Sequence, residues 1–160
     1  MNKVYNINIF VKLSLVAALY VILTISIAPL SYGPIQIRFS EILVLLTFYD
    51  KRYISSLTIG CLIANLLSPL GLVDIVVGTL GTFISVYFVS ISKNLFIATL
   101  WPTIFCIPVV FLLHIILGLP FWFYLFGFMI GEFISVTLIG YPIALILSKK
   151  IYIIDKIKLN

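Results

Sequence analysis

The basic residues of this chain gather into four short groups: Lys3 with Lys12, Lys51 with Arg52, Lys93 alone, then Lys149, Lys150, Lys156 and Lys158. Only Arg38 stands apart. Between the groups lie stretches 13 to 50, 53 to 92 and 94 to 148, in which charged side chains are rare and apolar ones run on for tens of residues. Of the 160 residues, 63% are hydrophobic and 9% charged, whereas soluble chains carry roughly 25% charged and 45 to 50% apolar residues. A soluble globule of this size has too little interior to hide that much apolar side chain. Lipid is therefore the solvent, and the formal net charge of +5, spread in ones and twos with no basic stripe, is topological information and not a nucleic-acid footprint. Cys61 and Cys106 lie in apolar runs without CxxC spacing or a neighbouring His, so they read as buried core residues and not as metal ligands.

If short basic segments stay cytoplasmic, each intervening stretch must leave that side and return, which requires an even number of crossings. One helical span takes about 20 residues, so each stretch holds two helices and none comfortably holds four. Turn-forming breakers sit near the middle of each: Pro29 with Ser31-Tyr32-Gly33-Pro34, then Ser68-Pro69-Leu70-Gly71, then Gly118-Leu119-Pro120. The expectation is an all-α integral membrane protein, one domain over 1–160, with six helices near 10–30, 37–49, 53–67, 71–92, 95–117 and 120–148 and both termini cytoplasmic. The second helix is short, reaching about 20 Å against a hydrocarbon core of about 30 Å. A loop from Tyr32 to Ile37 is expected to fill the outer gap by dipping into an outward-facing pocket, since irregular backbone is tolerated at membrane depth only beside a protein cavity. The alternative of a cleaved signal peptide is disfavoured because the first apolar run, Leu13 to Leu30, exceeds the usual 7 to 15 residues. The last polar stretch, Ser148 to Asn160, reads as a basic tail on the anionic inner leaflet.

Once the crossings are drawn, the remaining polar residues fall on the outer or central side. Arg38 and Glu41 start helix 2, Asn65 ends helix 3, Asp74 starts helix 4, His114 ends helix 5 and Glu132 lies mid-helix 6. An unpaired charge in a span costs at least about 2.5 to 3.5 kcal/mol, so such residues face a cavity, a partner or a ligand. Structural roles remain open for each: Arg38 and Glu41 are i, i+3 neighbours able to neutralise one another, Asp74 suits a helix N-terminus, and His114 suits an interface or a backbone carbonyl. Glu132 has no basic residue within 16 positions on either side. One positive and three negative charges leave an excess of two negative charges, which favours a cationic or donor-rich ligand. Phe121-Trp122-Phe123-Tyr124, with Phe126 and Phe128, fits an interfacial aromatic belt or a stacking wall for a planar ligand, with Trp122 the candidate contact. Gly127-xxx-Gly131, Gly60-xxx-Ala64 and Ser14-xxx-Ala18 permit close packing of backbone.

No phosphate loop, zinc motif or nucleophile elbow is present, so an enzyme is not expected. Uphill transport then needs either ion coupling through these carboxylates, as in a permease working alone, or an ATPase on another chain; a membrane scaffold with structural carboxylates is the third reading.

Tyr32-Gly-Pro-Ile-Gln-Ile-Arg-Phe-Ser-Glu41, the run from Gly60 through Asn65 and Gly71 into Asp74 and Gly78-Thr79-Leu80, and Gly131-Glu132 carry a resemblance across nearly the whole chain. The chain resembles the QueT family, the queuosine-precursor S components of energy-coupling factor (ECF) transporters. The resemblance implies a multi-pass bacterial plasma-membrane subunit without catalytic activity, cofactor or metal. Such a subunit captures a 7-deazapurine (queuine, preQ1 or preQ0) outside and works with a transmembrane coupling protein and two cytoplasmic ATPases. Glu132, Asp74, Asn65, Glu41, Arg38, Gln36, Tyr32, His114 and Trp122 are the candidate ligand residues. The family docks on its coupling protein through Ala-x-x-x-Ala in helix 1. Here Ala17 and Ala18 are followed four residues on by Val21 and Ile22, so Ser14 to Ala18 is the nearest approximation and Ser14, Ala17 and Ala18 are the candidate docking residues.

Overall fold

The computed structural model describes residues 2–149, 157 and 159, with side chains from residue 7 onward. Among them every regular element is helical. The runs are α1 (Asn2–Ser26), α2 (Phe39–Tyr49), α3 (Tyr53–Asn65), α4 (Asp74–Ile91), α5 (Leu95–Leu117) and α6 (Phe121–Ser148). Four stretches are long and apolar enough to cross a membrane: Ile7–Ser26, α4, α5 and α6. α2 and α3 are shorter apolar helices. The predicted span limits shift where local chemistry acts. α1 stops at Ser26 instead of reaching residue 30, and a single turn, Ala28–Ser31, re-forms with Pro29 at its start, where the missing N–H is not needed. Lys150, Lys156, Lys158 and the side chain of Lys3 lie outside the described residues, and so does the placement expected for the basic tail.

α2 departs from the simple expectation in its winding. Phe39–Leu45 is a 3₁₀ helix of seven residues and only Leu46–Tyr49 is α-helical. At about 2.0 Å per 3₁₀ residue and 1.5 Å per α residue, eleven residues still reach about 20 Å, so tighter winding restores the length that the shorter segment loses.

α5 shows how sequence sets a boundary. Asn94 caps it by accepting hydrogen bonds from the N–H groups of Phe96 (2.8 Å) and Ile97 (3.3 Å), which satisfies two otherwise orphaned donors. At the far end Gly118 takes φ 68 and donates to the His114 carbonyl at 2.9 Å, a left-handed stop that favours glycine. α4 and α6 each contain a wider π-helical stretch, Asp74–Gly78 and Phe133–Gly140. The second leads directly into Tyr141-Pro142, where a ring without an N–H must be accommodated.

The Tyr32 to Ile37 loop packs along α6. A Cβ on Gly127 would strike the Pro34 carbonyl oxygen, and one on Gly131 would strike the Gln36 backbone. One turn further, Ser135 Oγ accepts from the Arg38 N–H at 3.2 Å. The small residues 127, 131 and 135, spaced four apart, make a groove for extended backbone rather than for a second helix. The other small-residue pairs behave differently. Gly60 brings α3 onto α1, where its Cβ position lies 3.0 Å from the Ala17 oxygen and from Tyr20 Cβ, whereas Ser14 and Ala18 are exposed.

A core of Tyr20, Val44, Leu57, Cys61, Ala64 and Val86 joins α1 to α4, and a second cluster around Cys106, Val110, Leu113 and Phe128 joins α5 to α6. The opposite faces expose Phe10, Leu15, Leu72 and many other large apolar side chains, as a lipid-facing surface requires. At the α2–α3 turn, Asp50 accepts from Arg52 Nε (3.0 Å) and Nη2 (2.7 Å) and from the Leu159 N–H (2.9 Å). Burial works to raise this carboxyl, yet the donors from Arg52 and Leu159 outweigh it and hold the pKa at about 2 against an ordinary 3.8.

Candidate ligand-binding site

The Tyr32 to Ile37 loop and α2 supply one wall of a cavity of about 40 Å³ through Gln36, Arg38 and Glu41. α4 supplies Asp74, Gly78, Gly81, Thr82 and Ser85, α5 supplies Pro102, Phe105, Cys106 and Val109, and α6 supplies Phe128 and Glu132. Each water needs about 10 to 15 Å³ of such space, so the cavity corresponds to about three water molecules.

Arg38 organises the wall although it is almost fully buried. Its Nε donates to the Ser31 carbonyl at 3.0 Å and its Nη2 lies 3.7 Å from Asp74 Oδ2. The Gln36 amide, oriented so that both of its ends are satisfied, accepts from Arg38 Nη2 at 2.5 Å and Nε at 3.3 Å. The Tyr32 ring lies 5.5 Å from the guanidinium carbon, a cation–π distance, and the Tyr32 hydroxyl anchors the loop by donating to the Ala64 carbonyl at 2.6 Å. The i, i+3 pairing open to Arg38 and Glu41 is not the one adopted among the described residues: Arg38 pairs with Asp74, and Glu41 accepts from the Tyr20 hydroxyl on α1.

Asp74 is buried in the wall and makes no side-chain cap. Behind it, Asn65 Nδ2 donates to the Asp74 carbonyl (3.2 Å), Thr79 Oγ1 (3.5 Å) and Cys61 Sγ (3.4 Å). Asn65 therefore supports Asp74 from outside the lining. Across the cavity, Glu132 Oε2 is buried with no hydrogen-bond partner among the described residues. Two other lining residues also carry buried oxygens without a hydrogen-bond partner among the described residues, Asp74 Oδ2 and Ser85 Oγ; such atoms pay desolvation without return, so the cavity is short of donors.

Two expected residues stand away from this cavity. His114 is exposed, and its Nδ1 lies 2.6 Å from the Leu119 carbonyl oxygen at the end of α5. Trp122 is 67% exposed and packs on Phe121 and Phe126. Helical phase explains both. On α5 the lining positions 102, 105, 106 and 109 follow i, i+3, i+4, i+7, a face that continues to Leu113 and leaves His114 one step around. On α6 the same face carries Phe128 and Glu132, with Trp122 turned outward.

Sequence reasoning missed Tyr20, Thr82, Ser85 and Phe105, named Phe128 only within an aromatic run of belt or stacking residues, and read Cys106 as core alone when it is buried and also lines the cavity. A usable signal was present in α4, where Gly78, Gly81, Thr82 and Ser85 form a small, polar stripe at spacings of three and four. Among the described residues no group of His, Cys, Asp and Glu is disposed to hold a metal ion.

The family model described as QueT transporter matches residues 10–149. A curated relative from Lactococcus lactis subsp. cremoris (strain MG1363), named "Queuosine precursor transporter QueT", is 46% identical over 97 residues, which is 59% of this chain and 53% of the relative. The chain thus spans about half the length of that relative. No solved structure matches. With the family match covering nearly the whole chain, from the end of the first basic group to the start of the last, the chain belongs to the QueT transporter family.

Proposed function

We propose that this chain is the substrate-capture (S) component of an ECF-type importer and that its cavity binds a 7-deazapurine precursor of queuosine. The observation that carries the reading is the unpartnered, buried Glu132 Oε2 in a cavity whose other carboxyls are engaged, Asp74 by Arg38 and Glu41 by Tyr20. A 7-deazaguanine offers adjacent N–H donors to a carboxylate, a flat face to Phe105 and Phe128, and in its aminomethyl form a cation to the negative excess. The relative's name supports the same class of cargo. In this reading a transmembrane coupling protein and two cytoplasmic ATPases provide the energy, and the exposed Ser14 and Ala18 face of α1 meets the coupling protein. Vesicles holding the purified chain alone should bind 7-aminomethyl-7-deazaguanine without concentrating it, and concentrative uptake should appear only when coupling protein and ATPases are reconstituted beside it. Uphill uptake by the chain alone, abolished by a protonophore, would instead establish an ion-coupled permease.

The proposal includes six crossings with both ends cytoplasmic, α2 and α3 spanning with the help of the dipping loop. Nine of the ten basic residues then fall on one side. In a chain lacking Cys61 and Cys106, a cysteine at position 93 should label only from the cytoplasm and one at position 35 only from outside. External labelling at 93 would break this topology.

A further inference from the structure

α1 contributes no residue to the cavity lining, yet it reaches the site through one hydroxyl. Tyr20 is completely buried, its Cβ lies 3.0 Å from the Cβ position of Gly60, and its hydroxyl donates to Glu41 Oε1. One turn on, Thr24 Oγ1 lies 2.7 Å from Ser40 Oγ, so consecutive residues of α2 are tied to α1 by two side-chain bonds. The bond to Glu41 differs from the bond to Ser40 because Glu41 lines the cavity. Arg38 is the extended N-cap of the 3₁₀ segment, and its carbonyl accepts from the Glu41 N–H at 3.1 Å. Glu41 thus begins one turn from a guanidinium that it does not pair with among the described residues. Tyr20 engages Glu41, and Asp74 engages Arg38.

We propose that Tyr20 is a positioning residue: its hydroxyl holds one oxygen of Glu41 and keeps the carboxylate from folding onto Arg38, leaving the second oxygen for a ligand donor. This inference rests on the deazapurine-binding reading above. It makes α1 part of the binding apparatus although none of its side chains touches the ligand. Removing the hydroxyl frees Glu41 to rotate onto Arg38, which takes an acceptor away from the ligand and loosens the Arg38 to Asp74 pair at the same time.

The test is calorimetric titration with 7-aminomethyl-7-deazaguanine of the wild-type chain, Tyr20→Phe, Glu41→Gln, the double variant, and Thr24→Val as a control that cuts the neighbouring bond. Loss of one hydrogen bond to a charged group predicts a roughly 10- to 100-fold weaker affinity for Tyr20→Phe. The double variant should be no weaker than Glu41→Gln, because Tyr20 acts only through that carboxylate. Thr24→Val should stay within about twofold of wild type, as a bond that only ties helices together would. A second readout keeps the wild-type shape: 3-fluorotyrosine at position 20 should show a fluorine resonance that moves when the probe is added. Tyr20→Phe with wild-type affinity, losses that add in the double variant, or an unmoved fluorine resonance would overturn the role of Tyr20 while leaving ligand binding intact. A wild-type chain that fails to bind the probe would overturn both proposals.

Discussion

Replacing Glu132 by Gln should weaken binding of 7-aminomethyl-7-deazaguanine by roughly 30- to 1000-fold, or about 2 to 4 kcal/mol, while the protein remains folded. Glu132 lines the cavity, its Oε2 is buried, and no donor among the described residues reaches that oxygen. A carboxylate accepts two parallel hydrogen bonds from adjacent N–H groups, whereas Gln presents one acceptor and one donor. The substitution preserves shape but opposes a ligand N–H with another N–H inside a site of low polarity. A carboxyl with a purely structural role behaves otherwise, because Gln would then change thermal stability and leave affinity alone. Calorimetric titration separates the outcomes, and an affinity within about twofold of wild type in a folded variant would sink the assignment.

The same chemistry explains how much of the site was legible in the sequence. Hydrocarbon excludes charge so strongly that Arg38, Glu41, Asp74 and Glu132 could be marked as converging residues from their positions alone, and the structure gathers all four around one cavity. The expectation that the loop between the first two helices lines a cavity holds at Gln36, whereas Tyr32 stands behind the lining, against Arg38 and the Ala64 carbonyl. His114 was marked by depth and Trp122 by its aromatic run, neither with helical phase, and phase decides which way a side chain points. Tyr20 was not legible. Its ring is at home in any apolar helix, and its hydroxyl acquires meaning only when α1 and α2 are placed side by side. Nor does sequence announce 3₁₀ winding over Phe39–Leu45, because nothing in FSEILVL forbids an α-helix. The loop ahead of it lies on Gly127, Gly131 and Ser135, and the 3₁₀ segment itself packs on Gly140 of α6 through Ile42 and Leu45. The pairing partner of Arg38 was hidden for the same reason: spacing along the chain offers Glu41, while the fold offers Asp74 from another helix.

Arg38→Gln should be the most destabilising single substitution in the cavity wall. The guanidinium satisfies four different neighbours at once: the Ser31 carbonyl, the Gln36 amide, Asp74 and the face of Tyr32. Its planar fork is what allows this, and a lysine ammonium could keep the charge but not all of the contacts. Removing the cation leaves the buried Asp74, Glu41 and Glu132 with no compensating charge in the cavity. Breaking a buried pair from one side typically costs about 3 to 5 kcal/mol, because the remaining charge stays desolvated. For a chain of this length each kcal/mol lowers the melting temperature by roughly 2 to 4 °C, so the expected drop is about 6 to 20 °C. Electrostatics and packing make opposite predictions for the double variant Arg38→Gln with Asp74→Asn. If the uncompensated carboxylate is the cause, neutralising it should recover a large part of the loss, since replacing both members of a buried pair is often nearly neutral. If lost packing is the cause, the second substitution should add to the damage. Thermal unfolding of the two single variants and the double variant in one detergent measures this directly, and an Arg38→Gln protein melting within about 2 °C of wild type would show that the wall does not depend on its guanidinium.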